Sequence, residues 1–181
     1  TTSPSIAGTT LAAAGTYFVR VRQASSSSTI RPYDLHFRLQ NGSPTAEVEP
    51  NDMTPQPLPP SGWISGSLSG AADVDVYSLA LQAGDTIFAS LDLDPTRDGT
   101  EFNGALSVGP FVGTFLQVND AGAAGPDSEA LFVTVKTAGT YGIGVSGAAA
   151  GDYGLSVSVH AAAPSVSCTT YNSGDVPKVI P

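Results

Sequence analysis

The chain has 181 residues, of which 41% are hydrophobic and only 13% charged, with 20 glycines, 14 prolines and a net charge of −9. This excludes a disordered chain and argues against helical surfaces, which draw on Glu, Lys and Arg; it suits short strands joined by many turns. The acidic balance repels nucleic acid and anionic lipid at long range, and no run reaches the ~18 apolar residues of a membrane helix, so neither nucleic-acid binding nor membrane insertion is expected.

In chain order, the opening TTSPSIAGTT lacks the charged and apolar regions of a signal peptide. Two alternating runs follow, AAAGTYFVRV at 12–21 and Tyr33-Asp34-Leu35-His36-Phe37-Arg38-Leu39. Period-2 alternation is the signal of half-buried strands. It groups Tyr17, Val19, Val21, Tyr33, Leu35, Phe37 and Leu39 on one face, expected to point inward. Arg20, Arg22, His36 and Arg38 fall on the other, expected to face solvent. The same pair recurs as KTAGTYGIGV at 136–145 and Tyr153–Val159, Tyr141 lying 124 residues after Tyr17. Residues 1–40 therefore read as the C-terminal strands of a truncated β-sandwich. Two strands cannot bury an apolar face alone, so these must pack on an absent part of the protein, on the second domain or on another chain.

Residues 41–45 read as a linker, with a sequon at Asn41-Gly42-Ser43. Residues 46–160 read as a complete domain. Its expected strands are Trp63–Leu68, Val74–Leu81, Thr86–Leu93, Gly104–Val108, Thr114–Val118, Ala130–Val135, Thr140–Val145 and Tyr153–His160. Turn signals at 82–85, 94–99, 119–122 and 138–139 separate them, and the acidic run Asp92–Gly99 reads as a hairpin turn. Eight short strands without an amphipathic helix argue for an all-β, jelly-roll-like antiparallel β-sandwich. Charge is unevenly shared: residues 1–45 carry four arginines against Asp34, or +3, whereas residues 46–160 carry fourteen Asp and Glu against Arg97 and Lys136, or −12. In the closing segment, 161–181, Cys168 is the only cysteine, so no disulfide forms within the chain.

The acidic residues have a pattern. Glu47 and Glu49 are two apart and share a face of an extended segment, with Asn51 and Asp52 following at the turn after Pro50. Asp73 and Asp75 repeat that spacing at the start of a strand. Together the two clusters would supply the six to eight oxygens calcium takes. The alternative is a solvated acidic linker with Asp75 capping a turn. No enzyme constellation accompanies them. His36 and His160, the two histidines, fall on outward strand faces. Ser146, in Gly-Val-Ser-Gly-Ala, lacks the setting of a nucleophile elbow. Tyr17, Tyr33, Tyr141 and Tyr153 read as core residues with satisfied hydroxyls, while Trp63 is open to a role in a ligand surface.

Several spaced motifs carry a resemblance: Glu47-Val48-Glu49-Pro50-Asn51-Asp52, Ile64-Ser65-Gly66-Ser67-Leu68, Asp73-Val74-Asp75-Val76-Tyr77, Ala83-Gly84-Asp85 and Ala138-Gly139-Thr140-Tyr141. In this order they resemble the bacterial pre-peptidase C-terminal domain over 46–160, with the closing motif present again at 13–39. Residues 170–181 resemble the opening of a proprotein-convertase P domain. The resemblance implies a sandwich appended to secreted or cell-surface bacterial proteins, often peptidases, outside the catalytic unit. It also implies calcium ligands on the Glu-x-Glu-Pro-Asn stretch and near the Asp-x-Asp. Collagen binding, a property of some relatives, is not carried over. The expected function is a non-catalytic accessory or spacer module with a calcium-stiffened linker, its partners being neighbouring domains of the parent protein. The alternatives are a fibre or adhesin subunit whose partial sandwich is completed by another copy of the chain, and a polymer-binding module.

Overall fold

A computed structural model describes residues 6–22, 32–100, 102–111, 116–119 and 129–163. They form ten strands and no helix: β1 (Thr45–Ala46), β2 (Gln56–Pro57), β3 (Trp63–Leu68), β4 (Val74–Leu81), β5 (Thr86–Asp92), β6 (Gly104–Pro110), β7 (Gln117–Asn119), β8 (Glu129–Thr134), β9 (Gly139–Gly147) and β10 (Gly151–His160). Two five-stranded sheets, β1-β3-β10-β5-β8 and β2-β4-β9-β6-β7, pack face to face as a sandwich. Both sheets are mixed rather than purely antiparallel, because β1 joins β3 and β2 joins β4 in parallel. The reason lies in the entry segment, which runs alongside one sheet and then the other before the first long strand. Its backbone bonds, Glu47 N to Ser65 O at 2.9 Å and Leu58 N to Ser78 O at 2.8 Å, fasten it to both.

The alternation read from sequence places the core. Ile64, Leu68, Ile87, Leu91, Leu131, Tyr153 and Leu155 point inward from one sheet; Tyr77, Leu81, Leu106, Val108, Tyr141, Ile143 and Val145 meet them from the other. β3 and β4 begin and end where the sequence puts them. The long closing pair is longer than expected, at 139–147 and 151–160. The run Asp92–Gly99 is not a hairpin turn: β5 and β6 lie in different sheets, so the loop after β5 crosses the sandwich. Arg97 stabilises that crossing, its guanidinium gathering Asp92 at 2.6 Å together with the Asp94 carbonyl. The Asp94 carboxylate accepts the amides of Asp98 and Gly99 at 3.2 Å.

The strands expected within residues 1–40 do not form: 6–22 and 32–40 belong to neither sheet. The face expected to point inward is outside. Tyr17, Val19, Val21, Tyr33, Leu35, Phe37 and Leu39 are between 40% and 69% exposed. His36, expected in solvent, stacks instead on Phe88, with ring centroids 4.9 Å apart. The physical reason is that the inner faces of 46–160 are already filled by one another. No core is left for a second apolar row, and a pair of runs without further strands makes no sheet. The repeat is nonetheless visible locally. Tyr17 donates to the Ala13 carbonyl at 2.6 Å, and Tyr141, 124 residues later, donates to the Thr137 carbonyl at 2.7 Å.

Ile143, fully buried at the centre of β9, sets the scale of the core. Ile143→Ala is expected to lower unfolding free energy in urea by roughly 2–5 kcal/mol, the usual cost of a large-to-small change in a filled interior.

Candidate metal centre

The first layer of the site is backbone. Pairing of β1 with β3 lays Glu47 against Ser67, whose amide donates to Glu47 Oε1 at 2.7 Å and whose hydroxyl lies 3.2 Å from the same oxygen. Beneath it, Gly66 has no side chain, and a Cβ there would run into the Tyr153 ring and hydroxyl and into Glu47 Oε2. The Glu49–Pro50 peptide is cis, and Glu49 Oε2 accepts the amide of Asn51 at 2.9 Å. Asn51 is fully buried, and its Oδ1 accepts the Val76 amide at 3.3 Å, tying the entry segment to β4. On the other side, Asp73 closes the turn before β4 by accepting the Ser69 amide at 2.6 Å.

At the centre is Asp75. Residues 75, 77 and 81 share the core face of β4, so the pleat carries this carboxylate inside the sandwich, with no exposed surface. It does not cap a turn. Tyr153, from β10 in the opposite sheet, donates to Asp75 Oδ2. The Tyr77 and Tyr153 hydroxyl oxygens are 2.5 Å apart, and both lie within reach of Glu47 Oε2, at 3.3 and 3.0 Å. Asp75 Oδ1 has no hydrogen-bond partner. Tyr77 was not singled out from sequence, and Tyr153 was expected only as core. The available signal was the two-residue step from Asp75 to Tyr77, which puts acid and phenol on one buried face.

The two acidic clusters converge as their spacing suggests. Oxygens of Glu47, Glu49 and Asp75 lie within 4.8 Å of one another, and so do oxygens of Asp52, Asp73 and Asp75. Asp75 belongs to both groups. Its carboxyl is pushed up to about 8, first by burial and then by the hydrogen bond and charge of Glu47 and the charge of Asp73, against the opposing pull of the Tyr153 hydroxyl. The same burial pushes both tyrosine hydroxyls far up. Asp73 goes the other way, held below the usual carboxylate range by hydrogen bonds from Ser69. These residues can hold a metal ion. The donors are hard oxygens, without nitrogen or sulfur, which suits calcium or magnesium rather than zinc. The orphaned Asp75 Oδ1 is the atom that fits a cation best. Beside the cluster, an open depression of about 430 Å³ is lined by Glu47, Gly66, Ser67, Thr96, Asp152 and Tyr153.

Away from the centre, His36 also lies 4.6 Å from Phe132, and His160 is exposed at the end of β10. Trp63 is half-buried in β3. Cys168 and the stretch 170–181 fall outside the described residues. Among the described residues, no helix is long and apolar enough to cross a membrane.

No family model matches this chain, and no curated protein does. Among solved structures, a periplasmic inhibitor of g-type lysozyme from Aeromonas hydrophila is similar with a TM-score of 0.44 and 20% identity, over 59% of this chain and 96% of that one. The pre-peptidase C-terminal domain of a collagenase from Bacillus anthracis is similar with a TM-score of 0.43 and 18% identity, over 66% of this chain and 100% of that one.

The raised carboxyl has a consequence for stability. Between pH 3.8 and about 8 the folded chain keeps a proton on Asp75 that the unfolded chain has released. In chelator, this contribution is therefore fully present below pH 3.8 and falls as pH climbs through the window, by at most ~1.4 kcal/mol per pH unit. Thermal melts in chelator from pH 5 to 8 should show a declining midpoint in wild type. The decline should be much shallower in Asp75→Asn, whose side chain does not titrate.

Proposed function

We propose that the chain is a non-catalytic accessory module of an exported bacterial multidomain protein, and that calcium locks its entry segment onto the sandwich. The observation that carries this reading is the buried Asp75 carboxylate, with an oxygen lacking any partner, at the junction of two carboxylate triads. A cation bound there supplies positive charge to five carboxylates and takes the place of the proton on Asp75.

The residues divide the work. Glu47, Glu49 and Asp52 come from the entry segment, while Asp73 comes from the turn before β4 and Asp75 from its start. Whatever holds both groups therefore holds the path of the chain into the domain. Asn51 fixes the segment through the Val76 amide. Tyr153 brings in the opposite sheet. A module used as a spacer needs such a joint, because the direction in which its neighbour leaves is set by the first few residues. The order of the Glu-x-Glu-Pro-Asn, Asp-x-Asp and Ala-Gly-Thr-Tyr motifs supports placement with pre-peptidase C-terminal domains, and with it an extracellular setting. Affinities of 10⁻⁴–10⁻³ M, on the order of those of extracellular calcium modules, are sufficient there.

Calorimetric titration tests the site. Wild type should bind calcium in preference to magnesium and melt at higher temperature with it. Glu49→Gln and Asp73→Asn should each weaken binding by roughly tenfold or more while melting close to wild type in chelator. A folded wild-type chain that takes up no calcium at millimolar concentration, with no shift in melting, would contradict the reading.

A further inference from the structure

The outer face of the β3–β10–β5–β8 sheet carries a row of three neighbours: Ser158 is paired with Phe88, and Phe88 with Phe132. Residues 32–40 lie across that row. His36 rests on both phenylalanines. Arg38 reaches the Ser158 hydroxyl at 2.8 Å and the carbonyls of Val157 and Ser61. The orientation is the reverse of what an isolated amphipathic segment would choose. Beside an aromatic patch it should bury its apolar side. Instead the polar row is down, and Tyr33, Leu35, Phe37 and Leu39 are 55–69% exposed.

The internal repeat explains the inversion. In the complete copy the matching residues Tyr153, Leu155 and Val157 are 0–3% exposed, buried against the opposite sheet. The matching outward residues are Ser156 and Ser158, small where the first copy has His36 and Arg38. Arg38 of the first closing run thus meets the small Ser158 of the second, while His36 covers Phe88 and Phe132.

The geometry points to a module-to-module interface in which residues 32–40 act as a two-faced strap. The polar row docks on the outer face of this sandwich, and the apolar row seats the β-layer of a preceding sandwich of the same kind. Two consecutive modules would then share a fixed orientation, with the linker at 41–45 spanning a docked junction. The identity of the partner rests on the modular reading; the docking of the polar row needs no cation.

Trypsin tests the docked side in the full chain, in chelator, so that loss of the calcium site cannot imitate failure. Arg20 and Arg22 are exposed and serve as internal references. Cleavage after Arg38 should be at least about tenfold slower than after them, because the docked guanidinium enters the protease only on local opening. His36→Ala and Phe132→Ser should each bring it to the reference rate without changing the far-ultraviolet circular dichroism. Equal rates in wild type, or protection that survives both substitutions, would overturn the docking. Light scattering and 1-anilinonaphthalene-8-sulfonate fluorescence test the open side. The chain should be a monomer that binds the dye, with binding lost in Leu35→Ser/Phe37→Ser. A dimer dispersed by that double change would replace the preceding sandwich with a second copy, and a monomer that binds no dye would overturn the open row.

Discussion

A carboxylate inside a β-sandwich imposes more on this structure than any other group. Asp75 sits where the pleat of β4 demands an inward residue, fully buried, between Tyr77 on its own strand and Tyr153 from the opposing sheet. Burying an unpaired ion costs several kcal/mol even after relaxation, and the neighbouring carboxylates of Glu47 and Asp73 add to that cost. The cluster can meet it with a proton on Asp75 or with a cation between the carboxylates. Both leave the two sheets joined through the same atoms. The spacing of the sheets, the path of the entry segment and the choice of glycine at 66 are consistent with that junction.

The entry segment is therefore a structural part of the domain rather than a tether. β1 pairs with one sheet and β2 with the other, and between them lie Glu47, Glu49, Asn51 and Asp52. A short stretch whose Val48 and Met53 are both exposed is held by backbone pairing and by side-chain oxygens that converge on Asp75. On the far side of the linker, His36 and Arg38 make a second set of contacts with the outer face of the sandwich. Residues on both sides of 41–45 thus touch the same domain. This arrangement fixes the path of the chain on either side of residues 41–45.

Much of this was legible in the sequence, and what was not has physical causes. β3 and β4 were readable to the residue because each is bounded by small polar turn residues. β1 and β2 were not. Two-residue strands pair through backbone alone and leave no pattern in the side chains. The acidic site was legible through the two-residue steps of Glu47–Glu49 and Asp73–Asp75, but the tyrosines around it were not, since an inward aromatic reads as core whether or not its hydroxyl meets an acid. The strap was read with the right partition and the wrong side in. Alternation says which residues share a face, whereas which face is buried depends on what else is present. Tyr33, Leu35 and Phe37 are exposed among the described residues, whereas the polar row touches the sandwich.

On calcium binding as proposed, the buried carboxylate exchanges a proton for the cation. Proton release on adding calcium near pH 7, measured by calorimetry in buffers of different ionisation enthalpy, tests it most directly. With Asp75 raised to about 8, close to one proton per chain should be released in wild type and almost none in Asp75→Asn. Calcium binding without proton release, or equal release from the two proteins, would contradict it.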